Sequence, residues 1–287
     1  MLKAALVLEG GGMRGVYESG VLDVLLENRL EFEYVIGSSA GALNAANYVS
    51  KQAGRSARIN LLHSDDPAYF GLRQFMKSRG SIFNFDYLFQ SPVNELYPYD
   101  VEAFRRSKQR FVITATDCET GLPLYFQKRD YEEMTLALKA SGSLPLASHI
   151  VEIDGYSCLD GGTADPIPVQ KAIADGYQKI VAVLTRDINY RKKEPNAAMK
   201  RTYQAAYRRY PALVDCLLAR PARYNALTEE IAAMEGRGEV FVIRPSKPLG
   251  ISRTERDARI LLAGYLQGRD DMTEKVEKMK EYLVLFS

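Results

Sequence analysis

The chain has 287 residues, 46% of them hydrophobic and 26% charged, with a formal net charge of +2. That composition suits a folded chain with a large core, either one big α/β domain or two small ones, and carries no mark of disorder. Near-neutral charge argues against a nucleic-acid partner. The three scattered cysteines, Cys118, Cys158 and Cys216, form no C-x-x-C pair, which argues for a reducing compartment and against a disulfide framework or zinc site.

Residues 4–8 are a short apolar run ended by Glu9, too short for the secretory h-region of about 7–15 residues. The longest uncharged stretch, 34–50, is studded with Gly, Ser and Asn and falls short of a membrane span of about 20 apolar residues. A soluble, cytoplasmic protein is expected, with peripheral contact at the inner membrane surface as a variant. Two histidines, His63 and His149, leave little material for a metal site or a Ser-His-Asp triad, and no cofactor is expected.

In chain order, Ala4-Ala5-Leu6-Val7-Leu8 predicts a buried parallel strand. Gly10-Gly11-Gly12-Met13-Arg14-Gly15 follows, and then Val16, Val21, Leu22, Val24, Leu25 and Leu26 at spacings that suit an amphipathic helix. Consecutive glycines at such a turn let the backbone approach a ligand and aim N–H groups at an anion. Gly10, Gly12 and Gly15 also satisfy G-x-G-x-x-G, the dinucleotide fingerprint, which expects an acid near the end of the second strand. Glu31 and Glu33 precede that strand instead. The turn fits better as an oxyanion hole, with the N–H groups of Gly11, Gly12 or Met13 facing a tetrahedral intermediate; a purely structural turn is the bland alternative.

Tyr34-Val35-Ile36 predicts the second strand, and Gly37-Ser38-Ser39-Ala40-Gly41 fits G-x-S-x-G with Ser39 at its centre. A serine on a strand-to-helix turn needs small neighbours two residues either side, because strand and helix backbones meet there. The next helix is expected over 42–54, ended by Gly54. Tyr69, Phe70, Phe75, Phe83, Phe85, Tyr87, Phe89, Tyr97 and Tyr99 then crowd a segment of about 65–100. It suits a cap or acyl-binding wall, or an insertion packing a small core of its own.

Residues 111–116 predict a strand, Thr120-Gly121 a turn and 124–126 its hairpin partner. A helix over 131–140 runs into Ala140-Ser141-Gly142-Ser143-Leu144-Pro145. After a hairpin turn at Asp154-Gly155, a strand over 156–159 ends in Asp160-Gly161-Gly162, a carboxylate at a strand's C-terminal end. A helix to Ala174 and strands over 180–184 and 240–243 follow. Between those two strands, 191–223 is basic: Arg191, Lys192, Lys193, Lys200, Arg201, Arg208, Arg209, Arg220 and Arg223 against Glu194 and Asp215. It reads as a solvated helical face, or as one that meets anionic lipid headgroups. Residues 255–285 read as helices with charges at i, i+4 spacing.

The glycine run, the Ser39 turn, the small-residue turn ending at Pro145 and Asp160-Gly161-Gly162, in this order, resemble the patatin-like phospholipase family in its bacterial branch. The resemblance covers roughly residues 4–183. It implies a three-layer α/β/α fold with a mostly parallel central sheet, here with a helical C-terminal part. It also implies a lipid acyl hydrolase with a Ser-Asp dyad and neither catalytic histidine nor calcium. Carried over by position, Ser39 is the nucleophile and Asp160 its base. Gly10, Gly11, Gly12 and Met13 form the oxyanion hole, with Arg14, Gly15, Gly37, Gly41, Gly161 and Gly162 in support. Arg14 either braces the glycine turn or steers an anionic headgroup. An aspartate near its ordinary pKa of about 3.9 is a weak base, so burial or late proton transfer would have to help it.

The expected organisation is a catalytic core over 1–185 and a basic helical segment, last strand and helices over 186–287, packed on the same domain. The expected partner is a lipid or acyl-ester substrate. A lipid- or acyl-binding regulator with little turnover is the alternative, and a nicotinamide-dependent enzyme ranks third.

Overall fold

The structure, a computed structural model, describes residues 1–69, 71–78, 80–89, 92–127 and 130–284. Phe70 and position 285 therefore lie outside the described residues. The chain opens with β1 (Leu2–Leu8), α1 (Gly15–Glu27), β2 (Phe32–Ser38) and α2 (Ala40–Val49). Short helices follow: α3 (Arg55–His63), α4 (Leu72–Ser78), α5 (Phe85–Phe89), α6 (Pro92–Leu96) and α7 (Val101–Arg106). Then come β3 (Arg110–Asp117), β4 (Pro123–Gln127), α8 (Tyr131–Gly142), β5 (Val151–Ile153), β6 (Tyr156–Asp160), α9 (Val169–Ala174) and β7 (Ile180–Val183). The last part is α10 (Ala197–Ala206), α11 (Pro211–Gly236), β8 (Val240–Ile243) and α12 (Ala258–Val284).

Among the described residues eight strands form one sheet, in the order β5-β6-β3-β2-β1-β7-β8 with β4 also paired to β3. β1 lies between β2 and β7, and β1, β2, β3, β7 and β8 run parallel. β4, β5 and β6 join antiparallel. Side chains alternate along β1: Ala4, Leu6 and Leu8 enter one apolar cluster, and Ala5 and Val7 enter another. Residues of α1, α2, α8 and α12 cover the first face, and residues of α9 and α11 cover the second. This is the expected three-layer α/β/α fold, and it explains the unbroken apolar strands: a strand buried on both faces has no polar side to show. Each large side chain so buried contributes about 1.5–3 kcal/mol.

From β1 the chain builds towards β2 and β3, then returns to β7 and β8 on the other side of β1. Crevices outside the C-terminal ends of strands form at such a reversal, and the glycine turn after β1 lies there.

Two expectations change. The helix after Ser39 ends at Val49, not at 54, because Lys51 takes a left-handed φ of 59° and Gly54, at φ 74°, begins α3 instead of closing α2. Among the described residues the aromatic segment builds no core of its own: Tyr69, Phe85, Tyr87, Leu88 and Tyr99 belong to the same cluster as Leu25, Tyr48 and Phe104. No helix among the described residues is long and apolar enough to cross a membrane.

Candidate active site

Ser39 is the single residue between β2 and α2, with φ 56° and ψ −123°. A non-glycine residue held there costs on the order of 1–3 kcal/mol, so the surroundings must enforce it. They do so by close approach. A Cβ on Gly37 would stand 2.6 Å from the Ala42 nitrogen, and one on Gly41 2.6 Å from the Leu8 carbonyl oxygen. The Ser39 N–H donates to Ser141 Oγ at 2.8 Å, which ties the turn to the end of α8.

Strand register brings Asp160 to this turn. One edge of β3 pairs with β2 up to Ser38 opposite Thr114, then with antiparallel β6, whose Asp160 stands opposite Ala115. β4 occupies the other edge over the same residues. The C-terminal ends of β2 and β6 therefore meet head to head, one step apart along β3. The Ser39 hydroxyl donates to Asp160 Oδ2 at 2.5 Å, with both residues buried. The Asp160 backbone is fixed as well: its N–H donates to the Ser143 carbonyl at 2.7 Å, and its carbonyl accepts from Thr116 Oγ1 at 2.8 Å. A Cβ on Gly161 would stand 2.2 Å from the Thr114 carbonyl oxygen, and one on Gly162 3.0 Å from Asp160 Oδ1.

The glycine turn lies against this pair, with a Cβ built on Gly10 falling 2.9 Å from Ser39 Cβ and one on Gly15 2.9 Å from Ala40 Cβ. Two of its N–H groups are already engaged: Gly10 donates to Pro166 and Met13 to Arg253, both to backbone carbonyls. Among the described residues the N–H groups of Gly11 and Gly12 carry no hydrogen-bond partner. Arg14 is buried, and its Nε has no hydrogen-bond partner.

Two cavities open on Ser39 and share Gly12, Ser39 and Leu144 in their walls. The larger, about 750 Å³, is mostly apolar, with Leu43, Ile59, Tyr69, Phe83, Phe85 and Leu88 among its walls. The aromatic segment thus walls a chamber beside Ser39. The smaller, about 350 Å³, is lined by Glu9, Arg14, Asp160, Arg186, Lys192, Arg220 and Arg253. Burial, and then repulsion from Arg186 and Arg253, lowers Arg14 to about 10. Burial, and then Arg220, lowers Lys192 to about 6. Neither histidine lines these cavities: His63 meets Tyr87, and His149 meets the Ser78 carbonyl.

Sequence reasoning missed five contributors. Ser141 and Ser143 sit in a recognised block but carried no assigned contact. Lys192 and Arg220 were counted as part of a basic face, yet they turn towards Ser39, whereas Lys193, Lys200, Arg201, Arg208 and Arg209 are exposed. Arg253 had no motif to mark it.

A family model described as "Patatin-like phospholipase" matches residues 6–173, and one described as "Domain of unknown function (DUF6363)" matches residues 210–284. The "Uncharacterized protein YjjU" of Escherichia coli is 26% identical over 253 residues, covering 86% of this chain and 70% of that protein. The "Uncharacterized NTE family protein Rv1063c" of Mycobacterium tuberculosis is 27% identical over 176 residues, covering 58% of this chain and 44% of the relative. The human "Patatin-like phospholipase domain-containing protein 6" is 26% identical over 196 residues, covering 62% of this chain and 13% of the relative. The first match takes in the glycine run, the Ser39 turn and Asp160 and spans more than half of the chain, which therefore belongs to the patatin-like phospholipase family.

Proposed function

We propose that this chain is a serine acyl hydrolase that cleaves carboxylic esters of lipids. The observation that carries the reading is the hydrogen bond from Ser39 Oγ to Asp160 Oδ2, made at a strained turn that opens on an apolar chamber. Ser39 is the nucleophile. As its oxygen attacks the acyl carbon, its proton passes to Asp160, and the C–O bond to the alcohol breaks as that proton is delivered to the leaving oxygen. Water then attacks the acyl-enzyme, with Asp160 taking and returning a proton in the same way. The oxyanion donors are the N–H groups of Gly11 and Gly12, since those of Gly10 and Met13 are already engaged. The acyl chain occupies the chamber walled by α2, α3 and the aromatic segment. The family and the names of its relatives support a lipid ester over a small soluble one.

The test is labelling with a fluorophosphonate probe, which reports an activated serine. Wild-type protein is expected to label and Ser39→Ala to be blank. Asp160→Asn is expected to lose roughly three orders of magnitude in ester turnover while keeping its fold. A folded wild type that neither labels nor hydrolyses esters would favour the acyl-binding regulator instead.

A further inference from the structure

Five cations line the polar cavity beside Ser39: Arg14, Arg186, Lys192, Arg220 and Arg253, with Glu9 and Asp160 as its carboxylates. Both carboxylates accept other hydrogen bonds, and their charge offsets only part of the five cations'. Glu9 accepts the Tyr224 hydroxyl at 2.7 Å and the Thr185 N–H at 2.6 Å, and Asp160 accepts Ser39. Among the described residues none of the five cations forms an ion pair. Their stable contacts are of other kinds. Arg220 Nε donates to the Gly162 carbonyl at 2.8 Å, Lys192 Nζ lies 3.5 Å from the Tyr224 ring centre, and the Arg186 guanidinium lies 4.0 Å from that of Tyr190. Cations gathered in a partly buried place lose hydration and repel one another, which is unfavourable unless the site's ligand is an anion. Burial first, and then the neighbouring guanidinium groups, lower Arg14 and Lys192. Several guanidinium forks and one ammonium exceed what a carboxylate can use, and they suit a tetrahedral, multiply charged oxyanion.

We propose that this cavity is a phosphate subsite, and that residues after the family match build it to select esters bearing a phosphate group near the scissile bond. Arg186, Lys192, Arg220 and Arg253 all follow residue 173, and the last two fall in the stretch matched to a domain of unknown function. That stretch thereby gains a role: it completes the Ser39 site. Because the two cavities share Gly12, Ser39 and Leu144, an ester with its carbonyl at Ser39 places its acyl chain on one side and its phosphate on the other. Selection among esters rests on the hydrolase reading above; phosphate binding does not.

The full chain is tested in two arms. In the first, titration calorimetry with inorganic phosphate and with glycerol 3-phosphate is expected to show binding by wild type. The expected loss is tenfold or more in Lys192→Met and in Arg253→Gln, with partial recovery in Arg253→Lys. Lys192→Met is also expected to raise the melting temperature in phosphate-free buffer below about pH 6, where the lysine is charged and unpaired; a merely structural lysine would do the reverse. No phosphate binding by folded wild type, or affinity unmoved by both substitutions, overturns the subsite. In the second arm, kcat/KM is compared for a lysophosphatidic acid and the monoacylglycerol with the same acyl chain. A wild-type preference for the phosphate-bearing ester that shrinks tenfold in the variants identifies the anion as the substrate's own headgroup. Phosphate binding without that preference supports the site with free phosphate as its ligand and overturns the selection of esters. Phosphate binding with neither ester cleaved refutes the hydrolase reading and leaves the subsite standing.

Discussion

Ser39 and Lys192 are both held in states that their own chemistry disfavours, one by backbone geometry and the other by its electrostatic surroundings. For Lys192 this leads to a pH dependence. Its ammonium, brought to about 6 by burial and by Arg220, is largely deprotonated at pH 8 in the free protein. An anion favours the charged form, so binding takes up a proton above about pH 6, and affinity falls as pH rises. Arg14, Arg220, Arg253, Glu9 and Tyr224 also act on Lys192 or meet it. Of these, Arg14 at about 10 and the Tyr224 phenol, pushed up by burial and by Glu9, keep their states between pH 6 and 8. Sulfate is the suitable probe, since it does not titrate in this range. Its affinity is expected to fall by up to tenfold per pH unit between 6 and 8, with proton uptake visible as a dependence of the binding heat on buffer. Sulfate affinity that stays flat across this range would refute the account. Ser39 and Asp160 were legible in the sequence because strand-turn geometry dictates their glycine neighbours. Lys192 was not, because nothing local separates it from Lys193, which is exposed; only the approach of Tyr224 and Arg220 from α11 distinguishes them.

Among the elements, α8 and the aromatic segment act together. Gly142 closes α8 where a Cβ would stand 2.5 Å from the Phe85 ring, so the turn that supplies Ser141 and Ser143 also seats one wall of the apolar chamber. Leu43 lines the same chamber one helical turn beyond Ser39. Enlarging it by Leu43→Phe is expected to shorten the preferred acyl chain. Each buried methylene is worth about 0.8 kcal/mol, or roughly fourfold in binding. Excluding two of them should lower kcat/KM for the longest ester of a p-nitrophenyl series by roughly 15-fold relative to the shortest. An unaltered chain-length profile would place the acyl chain elsewhere. Local pattern gave these elements unevenly. β3, β4 and β8 followed from β-branched and aromatic runs, whereas α11 did not, because it continues through Pro221. An interior proline costs a helix about 3 kcal/mol, so no local rule extends a helix across it. Tertiary contacts offset that cost here: Leu213, Leu217, Tyr224 and Ile231 of α11 are all buried.

On the scale of the molecule, the C-terminal part braces the site through a close helix pair. α12 packs along α1 where both carry glycine. A Cβ on Gly20 would stand 2.2 Å from the Tyr265 carbonyl oxygen, and one on Gly268 2.1 Å from that of Tyr17. The contact is pinned by Tyr17 Oη donating to Asp271 Oδ2 at 3.0 Å, and Asp271 also accepts the Ser246 N–H at 3.0 Å. Just before α12, the Arg253 carbonyl accepts the Met13 N–H of the glycine turn. The family resemblance reached only to about residue 183, and no sequence pattern joins Gly268 to Tyr17, so this brace was invisible before the fold. Gly268→Ala puts a methyl group against backbone that cannot rotate away, and the helices must part. Overpacking of this kind costs about 3 kcal/mol, which for a chain of this size lowers the melting temperature by roughly 6–12 °C. Phosphate affinity should fall with it, because Arg253 is carried on the displaced segment. Gly236→Ala is the control: an added Cβ there meets nothing within 4 Å, and both properties should hold. If Gly268→Ala melts with wild type yet loses phosphate binding, the brace acts on the site without stabilising the fold. If it loses neither, the two helices do not meet as closely as these glycines require.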